Sequence, residues 1–219
     1  AANVSLIVIV FASFPEVAPS LIDRYIVACA DAEIPALLVL NKADLIKEND
    51  PIINLMKEYQ ALGYEVIQTQ SDGDLSELAN RLAGETVAFV GQSGVGKSSL
   101  INAMVPDAAQ KTNIISENSA LGQHTTTSTR LIAFGEGAAL IDSPGIREFG
   151  LWHLNPDKVQ RGFPEIENLL GHCQFRNCTH KHEKQCALRQ AAANGEILKR
   201  RLDSYLRLGD EIAEAQQKN

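Results

Sequence analysis

The chain has 219 residues, 45 % of them hydrophobic and 21 % charged, with a formal net charge of -7. That length suits one α/β nucleotide-binding domain plus a small appendage, and the composition excludes a disordered or collagen-like chain. The longest apolar run, Leu6 to Ala12, is too short to span a bilayer, and Ala1-Ala2-Asn3 has no basic n-region, so neither a membrane segment nor a signal peptide is expected.

Val4 to Val10 is a continuous β-rich apolar run and predicts a buried strand. Pro19 to Ala32 has helical spacing; its lone Cys29 reads as core. Ala36 to Leu40 predicts a second strand, ending at Asn41-Lys42-Ala43-Asp44. As four letters Asn-Lys-x-Asp is a weak signal. At the carboxyl end of an apolar strand it gains weight, because open α/β sheets bind ligands there. The Asp44 carboxylate can accept from the N1–H and exocyclic amine of guanine, a pattern adenine lacks. Asn41 can tie this base loop to a phosphate loop, and the Lys42 stem can lie over the purine.

Ile52 to Leu62 reads as a helix and Tyr64 to Gln68 as a strand. Thr69-Gln70-Ser71 then stands where a second base-contacting loop is expected, although it departs from the usual Ser-Ala-Lys. A helix over Leu75–Leu82 and a strand over Thr86–Val90 follow. That strand runs into Gly91-Gln92-Ser93-Gly94-Val95-Gly96-Lys97-Ser98-Ser99, which fits G-x-x-x-x-G-K-[ST]. Glycines let backbone N–H groups turn inward around phosphates, Lys97 can reach the β- and γ-phosphates, and Ser98 can ligate Mg²⁺. A helix over Ser98–Met104 points its positive end at the nucleotide.

Residues 106–129 are rich in Ser, Thr, Asn and Gln with little periodicity, and a loop that long is usually functional or mobile. Within it, Gln123-His124-Thr125-Thr126-Thr127 offers Thr126 as a further Mg²⁺ ligand. Leu131–Phe134 and Ala138–Ile141 predict a hairpin through Gly135-Glu136-Gly137. Asp142-Ser143-Pro144-Gly145 supplies D-x-x-G: Asp142 can hold Mg²⁺ through water and the Gly145 N–H can sense the γ-phosphate.

The order of these motifs is unusual. GTPases ordinarily run phosphate loop, switch threonine, D-x-x-G, N-K-x-D. Here N-K-x-D comes first and D-x-x-G last, so a circularly permuted P-loop GTPase of class α/β is expected, with a parallel-rich sheet and helices on both faces. The loop after Asp142 then leads into the appendage instead of the next strand, giving nucleotide-driven movement a covalent route there.

Strand signals stop after Phe149. The expected domains are therefore 1–150, the GTPase, and 151–219, a small, mainly helical metal-binding domain with helices over Glu165–Leu170 and Glu196–Ile212. Cys173, Cys178, His180 and Cys186 give C-x₄-C-x-H-x₅-C, a ligand set for one structural tetrahedral Zn²⁺, with His172 and His182 as competitors for the fourth place. Residues 1–90 hold five Lys/Arg against thirteen Asp/Glu, whereas 171–207 hold eight against three. A basic tail on an acidic chain suits a phosphate-bearing partner or a merely solvated face.

Together these strings, with Leu21-Ile22-Asp23-Arg24-Tyr25 and Asp142-Ser143-Pro144-Gly145-Ile146-Arg147-Glu148-Phe149, resemble the RsgA/YjeQ family of circularly permuted, small-ribosomal-subunit-dependent GTPases. The resemblance implies GTP hydrolysis coupled to late maturation of the small subunit, rRNA contact, Mg²⁺ with GTP or GDP, and zinc on Cys173, Cys178, His180 and Cys186. It implies a monomeric, cytoplasmic protein with no membrane partner. The family carries an OB-fold before its GTPase domain, and this chain starts at the first GTPase strand. Ile146 stands where Ras-like enzymes place the water-orienting glutamine; the resemblance points instead to His124 as the catalytic residue. Two rivals stay open: a nucleotide-gated RNA- or ribosome-binding module with incidental hydrolysis, and a metal-dependent nucleic-acid-binding protein with a vestigial GTP site.

Overall fold

The structure, a computed structural model, describes residues 3–70, 72–105, 130–142 and 156–217. The chain forms two compact units, Ala1–Val17 with Ile34–Phe149, and Ala18–Glu33 with Gly150–Asn219. Residues 18–33, placed by sequence in the first domain, pack with the second unit.

Among the described residues the first unit is built on six strands: β1 (Leu6–Phe11), β2 (Ala36–Leu40), β3 (Val66–Gln68), β4 (Thr86–Val90), β5 (Arg130–Phe134) and β6 (Ala138–Asp142). Their order across the sheet is β3-β2-β1-β4-β6-β5. All neighbours are parallel except the edge pair β5 and β6. Every residue of β1 is buried, as the continuous run Leu-Ile-Val-Ile-Val-Phe demands of a central parallel strand covered on both faces. Leu6, Val8 and Val10 join Leu37, Val39, Val87 and Phe89 in one core with Leu78, Leu82 and Leu100. Those last three come from helices α3 (Ser76–Leu82) and α4 (Lys97–Met104). Helix α2 (Pro51–Ala61) starts with proline, and its N-cap Asp50 accepts from Ile52 N at 3.0 Å.

Because the strands are parallel, Phe11, Leu40, Gln68, Val90 and Asp142 all end at one edge, with Phe11 beside Leu40 and Leu40 beside Gln68. The strand feeding the phosphate loop is fourth in the chain yet lies beside the first, so the sheet accommodates the permuted order without altering its parallel core.

The second unit contains α1 (Pro19–Asp31), a 3₁₀ turn at Pro156–Gly162, and helices α5 (Pro164–Glu167), α6 (Ala187–Asn194) and α7 (Lys199–Gln217). Cys29 lies in its core, 2 % exposed, and desolvation pushes its thiol up to about 12, which leaves it an inert apolar side chain. The helix expected over Glu165–Leu170 is only four residues long. Beyond it Leu169 N bonds to Ile166 O and Leu170 N to Glu167 O, the tighter three-residue spacing. Helix α6 was not foreseen. It opens immediately after Cys186, inside a segment whose cysteines masked its Ala-rich helical run.

The largest fully buried side chain here is Arg201. Its Nη1 donates to Asp23 Oδ1 at 2.6 Å, its Nε to Glu165 Oε1 at 2.7 Å, and its Nη2 to Gly162 O at 2.9 Å. The guanidinium also lies 4.1 Å from the centre of the Phe163 ring. Desolvation opposes its charge, but the Glu165 and Asp23 carboxylates outweigh it and raise its pKa. One cation thus joins α1, α5 and α7. Asp23→Ala should cost about 3–5 kcal/mol of this unit's stability, since it removes the fully buried one of the two carboxylates that balance the Arg201 charge. Urea denaturation followed by far-UV circular dichroism measures this; an unchanged midpoint would reduce the cluster to ordinary packing. Among the described residues, no helix is long and apolar enough to cross a membrane.

Candidate functional site

The shared carboxyl edge of the sheet gathers the first set of candidate residues. The loop after β4 must fold tightly against β1. Gly91 has φ +139°, and a Cβ there would lie 2.1 Å from Val10 O. Gly96 has φ +92°, and a Cβ would lie 2.4 Å from Asn41 Nδ2. Only glycine meets both requirements, conformational and steric. Between them Val95 is fully buried and belongs to the sheet core, while Ser93, Gly94, Ser98 and Ser99 are exposed and Gln92 is half-buried. Lys97 opens α4, and its Nζ donates to Gly91 O and Gln92 O, each at 2.7 Å.

Asn41 is fully buried directly after β2. Its Nδ2 donates to Val95 O at 3.0 Å, linking the N-K-x-D loop to the phosphate loop across 54 residues of sequence. Its Oδ1 accepts from the Thr69 hydroxyl at 3.1 Å, and Ala43 N donates to Thr69 O at 3.0 Å. The 3₁₀ turn Ala43–Leu45 carries an exposed Asp44 at this edge. Lys42, at φ +60°, donates from Nζ to Gly94 O at 2.7 Å and to Phe14 O at 2.9 Å.

Sequence reasoning saw only part of this arrangement. Thr69, expected with Gln70 and Ser71 in a second base-contacting loop, braces the first one through Asn41. The Phe14-Pro15 segment, which receives Lys42 and lies 3.4 Å from a Cβ built on Gly94, carried no motif at all. Asp142 ends β6 at the same edge. His124, Thr126, Gly145 and Ser71 lie outside the described residues.

The second candidate site is in the other unit. The ligating atoms of Cys173, Cys178, His180 and Cys186 all lie within 4.8 Å of one another. Cys173 Sγ and Cys186 Sγ are 3.9 Å apart, and His180 Nδ1 is 3.4 Å and 3.3 Å from them. Zinc about 2.3 Å from sulfur and about 2.0 Å from nitrogen requires tetrahedral edges of about 3.8 Å and about 3.5 Å, so these residues fit a closed four-coordinate ion. Exposed His172 and His182 are not part of the group. Desolvation, with the Cys173 and Cys186 sulfurs beside it, pushes the Cys178 thiol up to about 11.

The loop between these ligands is braced from within. Glu183 Oε1 accepts from Thr179 N and Oγ1, each at 2.8 Å, and Oε2 accepts from His182 N at 3.1 Å. These bonds hold its carboxyl down at about 2 and pin the turn in which His180 takes φ +63°.

Known proteins are similar to this chain. The chain is 45 % identical over 221 residues to the "Small ribosomal subunit biogenesis GTPase RsgA" of Yersinia pseudotuberculosis, covering 98 % of this chain and 63 % of that protein. It is 48 % identical over 219 residues to the protein of that name from Alcanivorax borkumensis, covering 98 % and 62 %. It thus spans less than two thirds of the length of these relatives. Among solved structures, YjeQ from Thermotoga maritima superposes with a TM-score of 0.78 at 29 % identity, over 96 % of this chain and 72 % of that one. YloQ, described as a circularly permuted GTPase, gives 0.75 at 30 % identity, over 97 % and 69 %. The family model "RsgA GTPase" matches residues 1–152, which hold the permuted sheet, the N-K-x-D loop and the phosphate loop, and the chain therefore belongs to the RsgA GTPase family.

Proposed function

We propose that this chain is the nucleotide switch of a GTPase that binds GTP with Mg²⁺, hydrolyses it to GDP and phosphate, and serves late maturation of the small ribosomal subunit. The observation that carries the reading is the bond from Asn41 to Val95 O, which holds a guanine-reading loop and a phosphate loop at one sheet edge. Asp44 reads the guanine edge, the Lys42 stem covers the base, and Ala43 sets the turn between them. Residues 91–99 cradle the phosphates, with Lys97 moving its ammonium from the loop carbonyls to the phosphate oxygens. Ser98, Thr126 and Asp142 hold Mg²⁺, which neutralises the charge on the β- and γ-phosphates. The Gly145 N–H reports the γ-phosphate, and His124 orients the attacking water where Ile146 cannot.

One structural zinc on Cys173, Cys178, His180 and Cys186 maintains the second unit; the donor set and its spacing support this. The protein works as a cytoplasmic monomer on the subunit's rRNA, without a membrane. In a chain extended to the full length of the relatives, small subunits should stimulate hydrolysis. His124→Ala should keep GTP affinity and lose about 100-fold or more of the stimulated rate. A steady-state phosphate-release assay with and without subunits decides this. Absence of stimulation in the parent would overturn the switch reading, and full stimulation of the variant would overturn the role of His124.

A further inference from the structure

The geometry points to a single-stranded-RNA platform on the metal-bearing turn, where the Phe175 ring stacks an unpaired base and Arg176 and Lys184 hold the adjoining phosphates. This inference rests on the ribosomal reading above for the identity of the nucleic acid and deepens it to one surface and one mode of contact.

Phe175 is 50 % exposed. Single exposed apolar residues are common on protein surfaces, but this one sits at a pinned turn. It lies between two candidate ligands, Cys173 and Cys178, and Cys178 N bonds back to Phe175 O at 3.2 Å. Gln174 N bonds to Gln185 O at 3.3 Å, holding the two arms of the loop together. An aromatic ring on such a turn has lost its backbone freedom before any partner arrives, which lowers the cost of binding.

The surrounding charges divide into two groups. Lys181 is spent on both oxygens of Asp210 at 2.7 and 2.8 Å, and Arg189 Nη1 donates to Glu183 O at 3.2 Å. Glu183, the sole acid from 171 to 189, is committed to the loop itself, accepting from Thr179 and His182. By contrast Arg176 and Lys184 are exposed and make no side-chain hydrogen bond or ion pair among the described residues. The exposed His172 and His182 lie at the same turn. The loop therefore satisfies its own polar groups internally and leaves one aromatic ring and two exposed, unpaired cations, on a chain whose net charge is -7. Aromatic stacking with flanking cations is how unstructured nucleic acid is held without base-specific hydrogen bonds. Double-stranded RNA offers no free base face, so the platform selects unpaired segments.

The test is a fluorescence-anisotropy titration of the metal-loaded chain with a labelled unstructured 12-nucleotide RNA, repeated over a range of salt. Phe175→Ala should weaken binding about 5- to 150-fold, the range of one lost base stack, and Phe175→Trp should retain it. Arg176→Ala combined with Lys184→Ala should reduce the salt slope by about 1.4, the value for two phosphate contacts on a single strand. Metal content and circular dichroism identify any variant that has merely misfolded, in which case the tryptophan variant and the salt slope decide. The inference is overturned if the parent does not bind the RNA at 100-fold above the label concentration, or if Phe175→Ala binds as the parent does. It is also overturned if a polyglutamate peptide displaces the RNA equally well, which would make the partner an acidic protein. If RNA binding fails in these ways while subunits still stimulate GTP hydrolysis in the extended chain, the platform falls and the GTPase reading stands.

Discussion

Removing the metal should unravel residues 173–194 while leaving the sheet unit folded. The ligand loop has few apolar groups of its own: from 171 to 185 no residue is buried, and the first buried ones are Cys186 and Leu188. On the zinc proposal its order depends on the four candidate ligands and on the Glu183 brace. Metal binding to small sites of this type contributes roughly 10–16 kcal/mol of apparent free energy near neutral pH, far beyond what that brace supplies. Helix α6 opens immediately after Cys186, a candidate ligand, and should lose that anchor with the metal. Arg201 with Asp23 and Glu165 should keep α1, α5 and α7 together. The expected signature in hydrogen exchange is loss of protection over 173–194, with protection over β1, β2 and β4 unchanged, after chelation. Elemental analysis of protein purified without added metal should give one zinc per chain. A metal content near zero with the loop still protected would sink the assignment. The effect also has a definite pH direction. Three thiols must give up protons to bind, and Cys178 without metal holds its proton up to about 11. Affinity therefore falls as pH falls, and acid releases the ion.

Asp44→Asn should weaken GTP about 100- to 10,000-fold and shift preference to xanthosine triphosphate. Two charge-assisted hydrogen bonds to the guanine edge, each worth roughly 1.5–3 kcal/mol, set that range. The fold should survive the change. The base loop is held by Asn41 to Val95, by Ala43 to Thr69 and by Lys42 to Gly94, none of which uses the Asp44 side chain. Asp44 is exposed, so its replacement leaves no buried group unpaired. Xanthine presents an oxygen where guanine has its amine, and the asparagine amide can donate to it. Equilibrium binding of fluorescent GTP and xanthosine analogues measures both halves. Unaltered GTP affinity would remove Asp44 from the base site.

How far each feature was legible depended on the range of the forces behind it. The strands could be read because parallel strands buried on both faces must be continuous apolar runs, and β2 and β4 have the bounds their hydrophobicity suggests. The edge strand β3 is shorter than the Tyr64–Gln68 strand expected, because Tyr64 turns to Tyr59 in the preceding helix: Tyr64 N bonds Tyr59 O and the rings meet edge to face. Short polar motifs were visible because phosphate and metal chemistry impose local spacing. The phosphate-loop glycines lie within 6 residues, 91–96, and the four candidate Cys/His ligands within 14, 173–186, for that reason. Residues 18–33 gave no sign that they pack with the distant C-terminal segment. Their helical spacing shows that a face is apolar, and not which surface covers it.

By itself, then, the sequence determined the alternation of strands and helices, the permuted order of the nucleotide motifs and the ligand types at the metal loop. Each follows from local backbone preference or from chemistry confined to a short span. Only the tertiary structure decided that Arg201 closes on Asp23, 178 residues away, that Thr69 braces Asn41, and that Lys42 reaches Phe14. Those contacts pair a charge or a polar group with a partner that only the packed chain brings near, and for Arg201 and Asn41 the burial of the pair makes the partner obligatory.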